Sequence, residues 1–271
     1  MLIPQPSYVS YLPCVTLAGG VPVVIELKAE NEFRLTKQEV LRAVTEKTKV
    51  LIMPFPNNPT GSIMTREDLQ DIVDVVLEKD LFVISDEIYS ELTYGSNHVS
   101  IAEFPGMKER TVVINGFSKS YAMTGWRLGY AAGPENIITQ MIKIHQFAIM
   151  CAPTTSQYAA VEALKNGDED VAMMRGEYDK RRRYVVNALR EMGLDCFEPK
   201  GAFYVFPDIR GTGMTCDEFA NRLLLEEKVA VVPGTAFGDC GEGFLRISYA
   251  YSIENLKIAL GRIAEFVKRH R

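Results

Sequence analysis

Short apolar runs alternating with amphipathic segments constrain this chain more than anything else in its sequence. Residues 21–27, 49–53, 81–85, 111–115 and 128–132 are compact and apolar, the pattern of buried strands. Between the first three lie segments with apolar residues at helical spacing, 36–46 and 65–79. Each opens on a capping signature: Thr36 with Glu39, and Thr65 with Asp68. Pro22 has no N–H for a ladder, so the first of these runs fits an edge or a strand start. Strands alternating with helices predict an α/β fold around a largely parallel sheet. Ligand sites in such sheets gather beyond the carboxyl ends of the strands.

The second half changes character. Residues 135–152, 155–165 and 168–192 read as helices, the last long and rich in charge. Short strands at 194–197, 202–206, 229–232 and 244–248 follow, interleaved with helices at 216–227 and 253–269. The expected organisation is a large domain over 1–178 and a smaller C-terminal α+β domain over 179–271, joined through helix 168–192.

Composition excludes several classes of function. The formal net charge is −5, and the Lys and Arg residues are interleaved with acids, so no basic surface for nucleic acid is indicated. The basic tail Lys268-Arg269-His270-Arg271 reads as a helix end that complements the dipole. Five scattered cysteines without a CxxC pair give neither a disulfide framework nor a metal site, and fit a reducing, cytoplasmic setting. The sequence has no apolar run of membrane-spanning length and no signal-peptide pattern at Met1-Leu2-Ile3-Pro4.

Polar residues of unusual type collect where the strands end. Asn57-Asn58-Pro59-Thr60-Gly61 follows one run, and Ser85-Asp86-Glu87-Ile88-Tyr89 closes the next. Asn115-Gly116-Phe117-Ser118-Lys119-Ser120 closes another, and Thr124-Gly125-Trp126-Arg127 leads into the last. Singly, each is explained by turns, caps or solvated charge. A nucleotide triphosphatase would need a phosphate loop ending in GK[ST], which the sequence lacks. Gly116 to Ser120 falls one residue short of the G-x-S-x-G elbow, and His145 and His270 are poorly placed to serve a serine hydrolase. Together, the residues match what a phosphorylated aromatic aldehyde requires. Lys119 can form a Schiff base and Asp86 can keep a ring nitrogen protonated. Tyr89 and Asn58 can bond a ring hydroxyl, Ser118 and Arg127 can hold a phosphate, and Tyr8 can stack on the ring.

These strings, with Phe244-Leu245-Arg246-Ile247-Ser248, resemble the fold-type I, class I/II aminotransferases that depend on pyridoxal 5′-phosphate (PLP). They occur in family order and spacing and cover nearly the whole chain. The resemblance implies a PLP-dependent transferase fold and a ping-pong transfer of an amino group between an L-amino acid and a 2-oxo acid. It implies a homodimer in the full-length family. Lys119, Asp86 and Tyr89 would be catalytic. Asn58, Ser118, Arg127 and Tyr8 would join them in binding the cofactor. Arg246, with Asn58, would grip the substrate carboxylate.

The sequence also departs from the family pattern in three places, one being that no arginine is assigned to a substrate side-chain carboxylate, so an aspartate preference is not read from it. The family pattern begins upstream of Met1, with a strand, a phosphate loop and a helix N-terminus, so an N-terminally truncated chain is expected. Gly116 stands where several relatives carry serine. A β-lyase of the same fold, or a fragment inactive by itself, are the alternative expectations.

Overall fold

The computed structural model describes residues 1–270; Arg271, the last residue of the basic tail, lies outside the described residues. Strand β1 (Leu2–Gln5) leads to a short helix α1 (Tyr11–Leu17) and strand β2 (Val23–Glu26). Helix α2 (Lys37–Ala43), strand β3 (Val50–Met53), helix α3 (Arg66–Glu78) and strand β4 (Phe82–Asp86) follow in turn. Strands β5 (Thr111–Gly116) and β6 (Gly129–Ala132) complete the first sheet, in the order β2-β1-β3-β4-β5-β6. The ladders are parallel from β2 through β5, and β6 alone runs antiparallel. β2 is an edge strand, as Pro22 suggested.

Both capping boxes form. Thr36 accepts from the Glu39 N–H while Glu39 accepts from the Thr36 N–H, and Thr65 and Asp68 do the same. Helix α3 turns Leu69, Ile72, Val73 and Val76 inward at helical spacing. They meet Leu51 and Met53 of β3, Leu81 just before β4, and Val83 of β4 in the main core. A fully buried side chain of this kind contributes roughly 1.5–3 kcal/mol, so this face fixes the helix to the sheet.

Helices α4 (Glu135–Ala148), α5 (Thr154–Asn166) and α6 (Asp168–Glu191) lead into a second, three-stranded sheet. It is built from β7 (Tyr204–Val205), β8 (Val232–Pro233) and β9 (Leu245–Ser248), ordered β7-β9-β8, with helices α7 (Cys216–Glu227) and α8 (Ile253–Arg269). Lys268 and Arg269 lie in the last turn of α8, where cations complement the helix dipole. Val185, Val186 and Leu189 of α6 pack with Phe219, Leu223, Leu260 and Phe266 in a core of their own.

Two strands expected from the sequence need correction; that at 229–232 shifts to β8 at Val232–Pro233. Residues 194–197 form no strand: Leu194 and Cys196 are buried as anchors of an extended link, and the Cys196 carbonyl accepts from the Arg190 guanidinium rather than from a neighbouring strand. Helix α1 was not read from the sequence; it is only two turns long and lacks a side-chain cap.

Gly61 ties the two sheets together. Its carbonyl accepts from the N–H groups of Lys200 and Gly201, and its φ is +73°. A Cβ there would lie 2.4 Å from Pro199 Cβ. Gly95 has a similar φ, +81°, with nothing within 4 Å. Gly95→Ala is therefore expected to cost about 1 kcal/mol of backbone strain. Gly61→Ala should cost roughly 3 kcal/mol, because strain and collision add. Urea unfolding midpoints of the two variants will show whether the gap exists.

Candidate active site

The parallel strands deliver their carboxyl ends to one rim, and β6, running the other way, begins there. This direction explains the membership of the site. Tyr8 follows β1, Asn58 follows β3, Asp86 ends β4, Ser118 and Lys119 follow β5, and Arg127 precedes β6. Arg246 arrives from β9 of the second sheet. A cavity of about 370 Å³ is lined by all of these residues, together with Tyr11, Tyr89, Thr124 and Tyr204. Every candidate residue drawn from the sequence therefore reaches one cavity.

Alternation along β4 separates two acids. Asp86 turns toward the cavity. Its Oδ2 accepts a 2.6 Å hydrogen bond from the Tyr11 hydroxyl, and its Oδ1 accepts from the Ile88 N–H at 3.2 Å. Burial pushes the Asp86 carboxyl up, the two hydrogen bonds pull it back, and the Glu87 charge adds to the rise. Glu87 turns away, into a polar nest. It accepts from Ser85 Oγ at 2.8 Å and Ser100 Oγ at 2.7 Å, and its Oε2 lies 2.9 Å from His98 Nε2. Burial opposes its charge, but these partners, His98 first, outweigh it and hold the carboxyl below its usual range.

The Lys119 amine sits between aromatic rings, 5.9 Å from the Tyr89 centroid and 5.7 Å from that of Phe203. Burial lowers its pKa, and the cations of Arg127 and Arg246 lower it further. The Tyr89 hydroxyl lies 3.2 Å from that of Tyr204, and burial pushes its pKa far up, so it stays a neutral donor.

Arg246 is held over two aromatic rings. Its guanidinium lies 4.6 Å from the Tyr204 ring and 4.8 Å from the Phe237 ring, and its Nη1 donates to Asn58 Oδ1 at 2.9 Å. Its Nε is buried with no hydrogen-bond partner among the described residues. An unpaired buried donor is costly unless a ligand answers it, and a planar carboxylate suits this fork. Gly116 pairs with Gly129 across β5 and β6, and a Cβ at 116 would stand 2.9 Å from Gly129 Cα. That close approach leaves no room for a side chain at 116.

Three residues escaped the reading of the sequence. Tyr11 lies three residues beyond Tyr8, across a turn in which its N–H donates to the Tyr8 carbonyl, and that short spacing was an available signal. Tyr204 pairs with Ser248 in the β7–β9 ladder, which makes it a diagonal neighbour of Arg246. Only the register of the two strands reveals this. Phe237 gave no signal at all.

The donor set fits PLP and an amino-acid substrate: an amine of lowered basicity, a buried carboxylate, a neutral phenol and a guanidinium with one buried N–H unpaired. Comparison with known proteins decides the family. Residues 1–263 match the family described as Aminotransferase class I and II. The chain belongs to the class I and II aminotransferases. It is 50% identical over 274 residues to an aspartate aminotransferase of Pyrococcus abyssi, covering all of this chain and 70% of that protein. It is 47% identical to aromatic-amino-acid aminotransferase 2 of Thermococcus litoralis, with the same coverage. The crystal structure of an aromatic aminotransferase from Pyrococcus horikoshii superposes with a TM-score of 0.97 at 50% identity, covering 99% of this chain and 72% of that one. The aminotransferase therefore has the fold-type I architecture, and PLP is the cofactor of its family.

The lowered basicity of Lys119 can be measured directly. In the cofactor-free aminotransferase, acylation of Lys119 followed by mass spectrometry should titrate below free lysine. Arg127→Gln removes a cation that opposes the ammonium, so the midpoint should move up. An unmoved midpoint would show that Arg127 does not act on the amine.

Proposed function

We propose that this aminotransferase uses Lys119 as its covalent and proton-carrying residue, in a ping-pong exchange between an L-amino acid and a 2-oxo acid. The observation that carries this reading is the convergence of Lys119, Asp86, Tyr89 and Arg246 on one cavity. PLP, when bound, supplies an electron-accepting pyridine ring and a carbonyl carbon open to amines.

The chain's own groups divide the remaining work. Asp86, oriented by Tyr11, holds a proton at the pyridine nitrogen. Tyr89 and Asn58 would hydrogen-bond the ring hydroxyl oxygen, Ser118 and Arg127 would hold the phosphate, and Tyr8 would stack on the ring. Arg246, with Asn58 beside it, binds the substrate α-carboxylate and so orients the Cα–H bond. Because burial and two neighbouring cations disfavour its ammonium form, Lys119 can take the Cα proton and return it.

A cytoplasmic homodimer is part of the same proposal. The scattered cysteines and their separation support a reducing compartment: all five are free. Among the described residues, no helix is long and apolar enough to cross a membrane. Support for the dimer comes from helix α4, which buries none of its residues. Ile144 is 71% and Phe147 95% exposed, near Ile149 and Met150. Apolar surface of this extent marks an interface.

Product analysis tests the reaction. Amino acids are supplied with 2-oxoglutarate and PLP. Transfer of the amine to 2-oxoglutarate, reduced by at least about 10⁴-fold in Lys119→Ala, is the expected result. Pyruvate and ammonia without amine transfer would favour the β-lyase reading. Equal turnover by Lys119→Ala would end the role given to this lysine.

A further inference from the structure

We propose that Tyr204 is a positioning residue that acts through two neighbours, its hydroxyl orienting the Tyr89 phenol and its ring supporting the Arg246 guanidinium. The inference rests on the roles given above to Tyr89 and Arg246, and it goes beyond them by tying the two together through one side chain.

The geometry supplies both contacts. The Tyr204 hydroxyl lies 3.2 Å from that of Tyr89, while its ring face lies 4.6 Å from the Arg246 guanidinium carbon. Tyr204 is 7% exposed, and its backbone pairs with Ser248 of β9, the strand that carries Arg246. The ring also meets Phe203, at 4.8 Å between centroids, and Tyr89 edge-on at 6.0 Å. A side chain held this way has little freedom to follow a substrate, so it serves as a fixed support.

Hydrogen-bond arithmetic gives the hydroxyl its direction. A phenol has one proton. When Tyr89 donates that proton to an acceptor in the cavity, its bond with Tyr204 persists only if Tyr204 donates. A donor at the Tyr89 oxygen polarises the Tyr89 O–H and strengthens its own donation. The phenol on the large sheet is thereby aimed by a phenol on the small one.

The ring acts differently. The guanidinium lies over the rings of both Tyr204 and Phe237, and two such cation–π contacts restrict its orientation. Nη1 is already committed to Asn58, and the unpartnered Nε belongs to the same plane. Restricting that orientation therefore sets the direction in which the fork meets a carboxylate.

Two substitutions separate the two contacts. Tyr204→Phe removes only the hydroxyl, and Tyr204→Leu removes the ring as well. In cofactor-free protein carrying ¹³C at the tyrosine ζ carbons, Tyr204→Phe should move the Tyr89 resonance. In the same protein, Arg246 Nε–H should exchange with solvent about tenfold faster in Tyr204→Leu but not in Tyr204→Phe, the scale of one lost cation–π contact. In the loaded enzyme, Tyr204→Phe should raise the pH midpoint of the bound cofactor's absorbance by roughly half a unit, the scale of one neutral hydrogen bond. The KM for the amino donor should rise about tenfold in Tyr204→Leu, with Tyr204→Phe within about twofold of the parent.

An unmoved Tyr89 resonance in Tyr204→Phe overturns the proposal. Equal Arg246 exchange in the Phe and Leu variants overturns it as well. The two resonance measurements need no cofactor. Failure of the Lys119 reading therefore shows in product analysis and leaves these outcomes decisive.

Discussion

Strand direction is the constraint on which the rest of this structure depends. Hydrogen bonding from β2 through β5 is parallel, so five strand ends of the large sheet open on the same rim. The antiparallel β6 adds its beginning to that rim. Residues as far apart in sequence as Tyr8 and Arg127 become neighbours for this reason alone. The second sheet then closes the rim from above, through the Gly61 carbonyl on Lys200 and Gly201 and through Arg246 on Asn58.

Charge at the rim is managed by pairing. Two acids adjacent in sequence face opposite sides of β4, and each has its own donors. Asp86 takes a phenol and a backbone N–H and keeps an open side toward the cavity. Glu87 takes two hydroxyls and His98, and is sealed from it. Separate donor sets let the two carboxylates coexist in a partly buried place, where like charges would otherwise force one to take up a proton. Lys119 has no acid partner of this kind. Aromatic rings and two nearby arginines surround it, which disfavours the ammonium and leaves the amine available for chemistry.

Much of this was legible in the sequence, because the signals were local. Capping boxes at Thr36 and Thr65, apolar runs of strand length, and Asn58, Asp86, Lys119 and Arg127 just outside those runs need only short windows to be seen. What escaped depends on distant pairing. Tyr204 reaches Arg246 only through the register of β7 against β9, and Tyr11 reaches Asp86 only because β1 and β4 end on one rim. The strand expected at 194–197 failed for a related reason. Alternating burial at Leu194 and Cys196 imitates a strand, but its backbone bonds are scattered, Leu194 N–H to the Leu189 carbonyl, Asp208 N–H to the Asp195 carbonyl and Arg190 to the Cys196 carbonyl, and form no ladder. Local pattern reports burial; it does not report what supplies the hydrogen bonds.

The central claim is that this rim assembles a PLP site around Lys119. The most direct measurement is the visible absorbance of the purified chain with added PLP, before and after borohydride reduction, with peptide mapping of the reduced product. The account predicts an imine band that reduction fixes onto Lys119 and that Lys119→Ala lacks. A chain with no such band, or with label spread over surface lysines, would contradict it.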